Sequence, residues 1–226
     1  MRLRIINEEN RSNEELERIY APLFKNLFYN NIPKEYSVVT NILNNVSFNN
    51  IKIDADLHFT DYMVYDDVDN HNISLIRRHN ESINDNNVYI NLGDLGRKFI
   101  DKEYYLFNYI CKLNKCKYGI LVRGNNDIYD DQFYLNAGFN FVCNGFIWNG
   151  FVFTHFPLFD KNNTYNLINI HGHNHDRPIN YDDPNNKFPF KMFGKSVGYL
   201  VYSRDNNFHT ISLQEIVNRL KQKNLY

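Results

Sequence analysis

"IKIDADLH" (Ile51–His58) is a short apolar run that reads as a strand and closes on Asp56-Leu57-His58. Two later runs behave alike. "NVYINLGD" (87–94) ends in Gly93-Asp94, and "YGILVRGNND" (118–127) ends in Gly124-Asn125-Asn126-Asp127. Residues 70–83 predict a helix between the first and second strands. A second helix is predicted over about 99–114, where Leu106, Tyr109, Ile110 and Leu113 recur at helical spacing. Alternation of this kind implies a βαβαβ unit and a sheet with a parallel part.

The second half changes character. "FIWNGFVFTHF" carries Asn149-Gly150 between apolar runs, a strong signal for a hairpin with a type I′ turn. "LINIHGH" (167–173), "VGYLVYS" (197–203) and "FHTISL" (208–213) read as strands, and "LQEIVNRLKQ" as a closing helix. This half is expected to be mostly antiparallel. The fold class that follows is α/β: two mixed sheets packed face to face with helices outside, a four-layer α/β/β/α sandwich. Residues 1–48 read as a helical N-terminal extension ahead of a domain over 49–226. Within the extension, Ser12 and Glu15 form a capping box and Pro22 divides the first helix. "KEYSVVTNILNN" is a second short helix with Val38, Val39, Ile42 and Leu43 inward.

Bulk properties narrow the class. The 226 residues can bury a substantial core, and the 16% aromatic content argues against disorder. A net charge of -1 offers no broad basic field, which weighs against extended nucleic acid as a partner. Cys111, Cys116 and Cys143 are odd in number with no CxxC pair, so reduced thiols are expected. With no apolar leader and no run approaching ~20 apolar residues, the expectation is a soluble, cytoplasmic chain without a membrane partner. Asparagine is over-used, 38 residues against 3 Ala, which points to AT-rich coding of the kind a viral origin would fit. An Asn in this chain needs context before it signals anything.

Context comes from where the apolar runs end. They deliver Asp56, His58, Asp94, Asn125, His155, His173 and His175, and strand carboxyl ends are where sheets containing parallel strands place ligand sites. Carboxylate, amide and imidazole groups suit Mn, Fe or Zn, and the absence of Cys disfavours a structural zinc knuckle. In Asp56-x-His58 and in His173-x-His175 both members leave an extended chain on one face, so each pair can converge on one centre. Lone histidines such as His71, His79 and His209 are read as structural or surface residues.

The ordered set "DLH", "GDLG", "GNND", "THFP" and "HGHNH" resembles the calcineurin-like metallophosphoesterase superfamily, over residues 51 to about 213. "DLHF" and "HFP" are close to the small bacterial and phage members. The resemblance implies a hydrolase acting on phosphoesters through two divalent metal ions, Mn foremost, with Fe, Zn, Ni or Mg as alternatives. It implies one ion on Asp56, His58, Asp94 and His175, and a second on Asp94, Asn125, His155 and His173, with Asp94 bridging. Two such cations clamp the attacking and leaving oxygens of an in-line displacement, and the hydroxide between them is the nucleophile. Arg97 and Arg123 are candidates to neutralise substrate phosphate. His171, not a ligand in this scheme, is a further substrate-side or supporting candidate.

One position departs from the family. The residue after the ligand Asn is usually a His that contacts phosphate and protonates the leaving group, and here it is Asn126. An amide donates a hydrogen bond but releases no proton near pH 7. Either the substrate has a good leaving group or is a phosphodiester or anhydride that suits the site, or another group such as His71, His79 or a metal-bound water supplies the proton, or activity is lost. The expected partner is a small phosphoester, a mono- or diester, with nucleotides and cyclic nucleotides as candidates. The alternatives are a non-catalytic protein-binding scaffold and a nuclease. Aromatic residues of "DYMVYDDVDNHN" (61–72) and the extension itself are candidates for shaping the pocket, though core packing or a dimer contact is the favoured reading.

Overall fold

Strand runs that are apolar at nearly every position need cover on both faces, and three of them become neighbouring parallel strands here. They are β1 (Ile51–Asp54), β2 (Val88–Asn91) and β3 (Tyr118–Val122), preceded by helix α1 (Lys34–Asn44) and separated by α2 (Val68–Glu81) and α3 (Glu103–Lys112). The computed structural model describes residues 34–60, 68–96, 103–157, 167–175, 190–193 and 196–226. The Ser12–Glu15 capping box, the Pro22 break, Arg97 and residues 61–67 of the aromatic segment lie outside the described residues.

The chain continues through α4 (Asp131–Asn136), β4 (Phe141–Cys143), β5 (Phe146–Trp148), β6 (Phe151–Thr154), β7 (Ile168–His171), β8 (Phe190–Phe193), β9 (Ser196–Leu200), β10 (Ile211–Ser212) and α5 (Leu213–Gln222). One sheet has the order β10-β1-β2-β3-β4, the other β5-β6-β7-β9-β8. In the first, β1 to β4 are parallel and β10 joins β1 antiparallel. Local chemistry sets the helix starts. Asp130 caps α4 by accepting from Phe133 N (2.9 Å), and Ser212 caps α5 by accepting from Glu215 N (3.1 Å). The fold is a mixed α/β architecture of two mixed sheets flanked by helices.

The two sheets share one apolar core. Ile53, Ile90 and Val122 of the first sheet cluster with Phe146, Phe151, Phe153 and Ile170 of the second, and Phe146 stacks on Phe153 at 4.7 Å. Val39 and Leu43 of α1 and Ile216, Val217 and Leu220 of α5 belong to that same cluster. The alternate residues Tyr89 and Leu121 face a second core with Leu75 and Ile76 of α2, Leu106, Tyr109 and Ile110 of α3, and Tyr134 of α4. All three cysteines are free thiols, and among the described residues no helix is long and apolar enough to cross a membrane.

Two expectations are corrected. The second half is mixed rather than near-uniformly antiparallel: β6 pairs β7 and β7 pairs β9 in parallel, while β5–β6, β8–β9 and β10–β1 are antiparallel. The hairpin signal is right for its own pair, with Asn149 and Gly150 both at positive φ (50° and 80°). The β6–β7 connection, however, spans residues 155–167, long enough for the crossover that parallel pairing requires. Val38 is not inward but 48% exposed, because α1 turns only Val39 and Leu43 fully into the core.

If α1 belongs to the core, its buried leucine carries stability. Leu43 is wholly buried, so Leu43→Ala is expected to cost about 2–5 kcal/mol in urea unfolding of the full chain. A loss near zero would mean that α1 does not fold with the sheets.

Candidate metal centre

The loops that leave β1 and β2 continue the pairing of their strands. Asp56 N donates to Gly93 O (2.9 Å), His58 N to Asp94 O (3.0 Å) and Phe59 N to Leu95 O (2.8 Å). The loop after β3 approaches just as closely. A Cβ on Gly93 (φ +96°) would lie 2.5 Å from Gly124 N, and one on Gly124 would run into the Asp94 carboxylate. Asp127 ties the two loops together: its carboxylate accepts from Asp94 N (2.8 Å), Gly124 N (2.7 Å) and Leu95 N (3.1 Å). Burial and the neighbouring Asp94 charge push the Asp127 carboxyl up to about 6.

Five site residues adopt left-handed backbone: Asp56 (φ 55°), His58 (48°), Asp94 (57°), His173 (71°) and His175 (49°). For residues with a Cβ this costs on the order of 1 kcal/mol or more each, and it persists only where the surroundings over-determine it. These are the residues whose side chains the strand-end loops turn toward one another.

The side chains do converge. Ligand atoms of Asp56, His58 and His175 lie within 4.8 Å of one another, and so do those of Asp56, Asp94 and His155. Asp56 is common to the two groups, and Asp94 also reaches toward both, with Oδ2 3.9 Å from His58 Nε2 and Oδ1 3.5 Å from His155 Nε2. Asn125 Oδ1 lies 3.1 Å from His155 Nε2, and His173 Nδ1 lies 3.2 Å from that same nitrogen. His58 and His175 bring their Nε2 atoms within 3.0 Å. All seven residues read from the strand ends thus fall in one cluster.

The donor set fits a cation. His155 Nδ1 donates to Leu92 O (2.7 Å), so in the neutral ring Nε2 keeps its lone pair. That lone pair faces Asp94 Oδ1 and Asn125 Oδ1, two more acceptors. A lone pair converging with a carboxylate and an amide oxygen is the kind of donor set that a divalent ion takes. The cluster is also braced. Tyr202 stacks on His175 (4.7 Å, 4°), Phe156 packs on His173 (4.6 Å), and Asp56 accepts from His173 N (3.0 Å) across the two sheets. Burial raises the Asp56 pKa, but the His175 hydrogen bond and the nearby His155, His175 and His58 outweigh it and hold the group below the usual carboxylate value. Burial lowers His58, against the opposing pull of Asp94 and Asp56.

Other expected site residues are placed differently. Asn126 touches the cluster: its N donates to Asp94 Oδ1 (2.8 Å) and its Nδ2 to Asp94 Oδ2 (2.5 Å). The Arg123 guanidinium is engaged with Asp131, with the carbonyls of Asp127 and Tyr129, and with the Tyr134 ring. His171 is fully buried, with Nδ1 donating to Gly172 O (2.9 Å). His71 packs edge-on to Phe208, and His209 is half-buried near Glu81. His79 is sealed in the interior, with Nδ1 2.9 Å from Asp54 Oδ2 and Nε2 donating to Asn114 O (3.0 Å). Sequence reasoning passed over Asp127, although it closes the quoted "GNND", and Tyr202, which no local signal marks.

Comparison with known proteins agrees with this arrangement. No curated protein matches the chain in sequence. The fold is similar to the crystal structure of the protein of unknown function AQ665 from Aquifex aeolicus, with a TM-score of 0.51 at 16% identity. That likeness covers 74% of this chain and 97% of the other. The family model for calcineurin-like phosphoesterases matches residues 50–214, the span that contains every strand among the described residues and all seven converging side chains. With donors for a divalent metal gathered at the strand ends, the chain belongs to the calcineurin-like phosphoesterase family.

Proposed function

We propose that the chain hydrolyses a small phosphomonoester or phosphodiester, a nucleotide or cyclic nucleotide among the candidates, with two divalent ions, Mn foremost. Asp56, His58, Asp94 and His175 would hold one ion, and Asp94, Asn125, His155 and His173 the other. The observation that carries the reading is the His155 lone pair, fixed by Leu92 O and aimed at two further acceptors. When bound, the ions supply Lewis acidity and activate a water for in-line attack on phosphorus.

The chain's own residues would do the rest. The Leu92 carbonyl keeps His155 in its ligating tautomer. Asn126 holds both oxygens of Asp94 and so fixes the carboxylate placed between the two ion positions. The Asn126 amide can also donate to a phosphate oxygen, but it has no proton to give a departing alkoxide. His79 cannot make this good, because both its nitrogens are committed inside the fold. With neither Asn126 nor His79 to protonate it, a leaving group that departs as a stable anion fits this site best. Arg97 remains a candidate for the phosphate, whereas Arg123 would act by holding the loop that carries Asn125 and Asn126.

Three outcomes are expected. The full chain with Mn²⁺ should hydrolyse p-nitrophenyl phosphate or its bis ester, and EDTA should stop it; no bound metal and no turnover of either ester would leave a binding scaffold instead. Asp94→Asn should lower kcat by about 100-fold or more, because a carboxylate shared by both ions is lost. A wild-type rate for that variant would sink the site assignment. Asn126→His should speed hydrolysis of phenyl phosphate more than that of p-nitrophenyl phosphate, recovering part of the about 10²–10⁴-fold that general acid catalysis supplies. Equal effects on the two esters would show that residue 126 does not face the leaving group.

A further inference from the structure

Behind the Gly93–Asp94 turn lies a buried polar network that none of the roles above uses. Asp54, at the end of β1, is 1% exposed, and its register partner on β2 is Asn91, fully buried. Asp54 Oδ1 accepts from Asn91 Nδ2 (2.7 Å) and from the Tyr89 hydroxyl (2.7 Å). Asp54 Oδ2 meets His79 Nδ1 at 2.9 Å, and His79 is held at its other nitrogen by Asn114 O. The far side of the Asn91 amide completes the chain, with Oδ1 accepting from Gly93 N (2.9 Å).

A buried carboxylate is costly even when paired, and apolar residues of similar volume often fill such a place at no loss of stability. What apolar residues cannot do is orient an amide. A carboxylate only accepts, so it fixes Nδ2 of Asn91 on its own side and leaves Oδ1 facing Gly93 N–H. Gly93 opens the left-handed turn (φ +96°, then +57°) that aims Asp94 at the centre.

We propose that Asp54 and Asn91 are positioning residues for the metal centre. Asp54 locks the Asn91 amide, and Asn91 holds the Gly93 amide so that the turn presents Asp94 in its ligating direction. His79 braces Asp54 from α2. The inference rests on the metal-binding reading above for its consequence, but not for its geometry.

The test compares Asn91→Ala with Tyr89→Phe in the full chain. Tyr89→Phe removes a hydrogen bond to the same carboxylate and the longer contact that its hydroxyl accepts from Asn91 Nδ2 (3.2 Å), but leaves the Asp54–Asn91 and Asn91–Gly93 bonds in place. Two quantities are measured: Mn²⁺ affinity by calorimetric titration, and hydrogen exchange at the Gly93 and Asp94 amides without metal. Asn91→Ala should weaken Mn²⁺ binding by about 10–100-fold and speed exchange at both amides. Tyr89→Phe should lower Tm yet keep the Kd within about threefold. Asp54→Ala, which takes away the acceptor for Asn91 Nδ2, should shift both readouts the same way as Asn91→Ala, and it decides the matter if Asn91→Ala does not fold. An unchanged Kd in Asn91→Ala, or equal weakening in Tyr89→Phe, would overturn the positioning role. A wild-type chain that binds no Mn²⁺ but shows the faster Gly93 exchange on Asn91→Ala would instead overturn the metal reading and uphold the hold on the turn.

Discussion

Three main-chain N–H groups, from Asp94, Leu95 and Gly124, converge on the buried carboxylate of Asp127. The rest of the centre depends on that convergence. Loops leaving two parallel strands have no ladder partners for their amides, and a buried amide left unpaired is expensive. One carboxylate between the loops satisfies three at once and draws the β2 and β3 ends into contact. The glycines at 93 and 124 are the corollary, since a side chain at either position would occupy space the other loop fills. With the loops locked, Asp94 has little freedom, and its two oxygens face His58 and His155.

The second half of the centre arrives on the other sheet, so its precision depends on the gap between the sheets. That gap is filled by close-packed aliphatic and aromatic side chains, which resist compression. Hydrogen bonds then cross it at the level of the site, among them those from His155 Nδ1 to Leu92 O and from His173 N to Asp56. Each joins a candidate ligand of one sheet to the strand-end loop of the other. The left-handed backbone at five of these residues is tolerated because both the core and these crossing bonds over-determine the loops.

Which parts of this were legible in the sequence follows from the range of the forces involved. Asp56, His58, Asp94, Asn125, His155, His173 and His175 could be read because each closes an apolar run, and strand ends are where such groups collect. The Asn149–Gly150 hairpin could be read because a two-residue turn is local chemistry. The parallel pairing of β6, β7 and β9 is not local. It depends on how long connections cross the sheet, and a run such as "FVFT" looks the same in either orientation. Val38 escaped for a similar reason, since helical spacing gives a stripe but not its width. Tyr202 carries no signal because its stacking on His175 exists only once the chain has closed. Asp127 was within reach: an aspartate directly after two asparagines at a strand end has amides to accept, whatever its neighbours ligate.

The paired asparagines show how one background residue type acquires two different tasks. Asn125 offers its oxygen toward His155 and the centre, whereas Asn126 turns both its peptide N–H and its side-chain amide onto Asp94. An imidazole at 126 could trade a proton with a leaving group, which the amide cannot. The amide instead adds a side-chain donor to the peptide N–H in a two-point hold on the carboxylate. Asp94 is then fixed from three directions: at its oxygens by Asn126, at its own amide by Asp127, and at the preceding amide by Asn91. A carboxylate held so completely suits a site that works by placing charge, where a fixed dipole or ion loses nothing to reorganisation during the reaction.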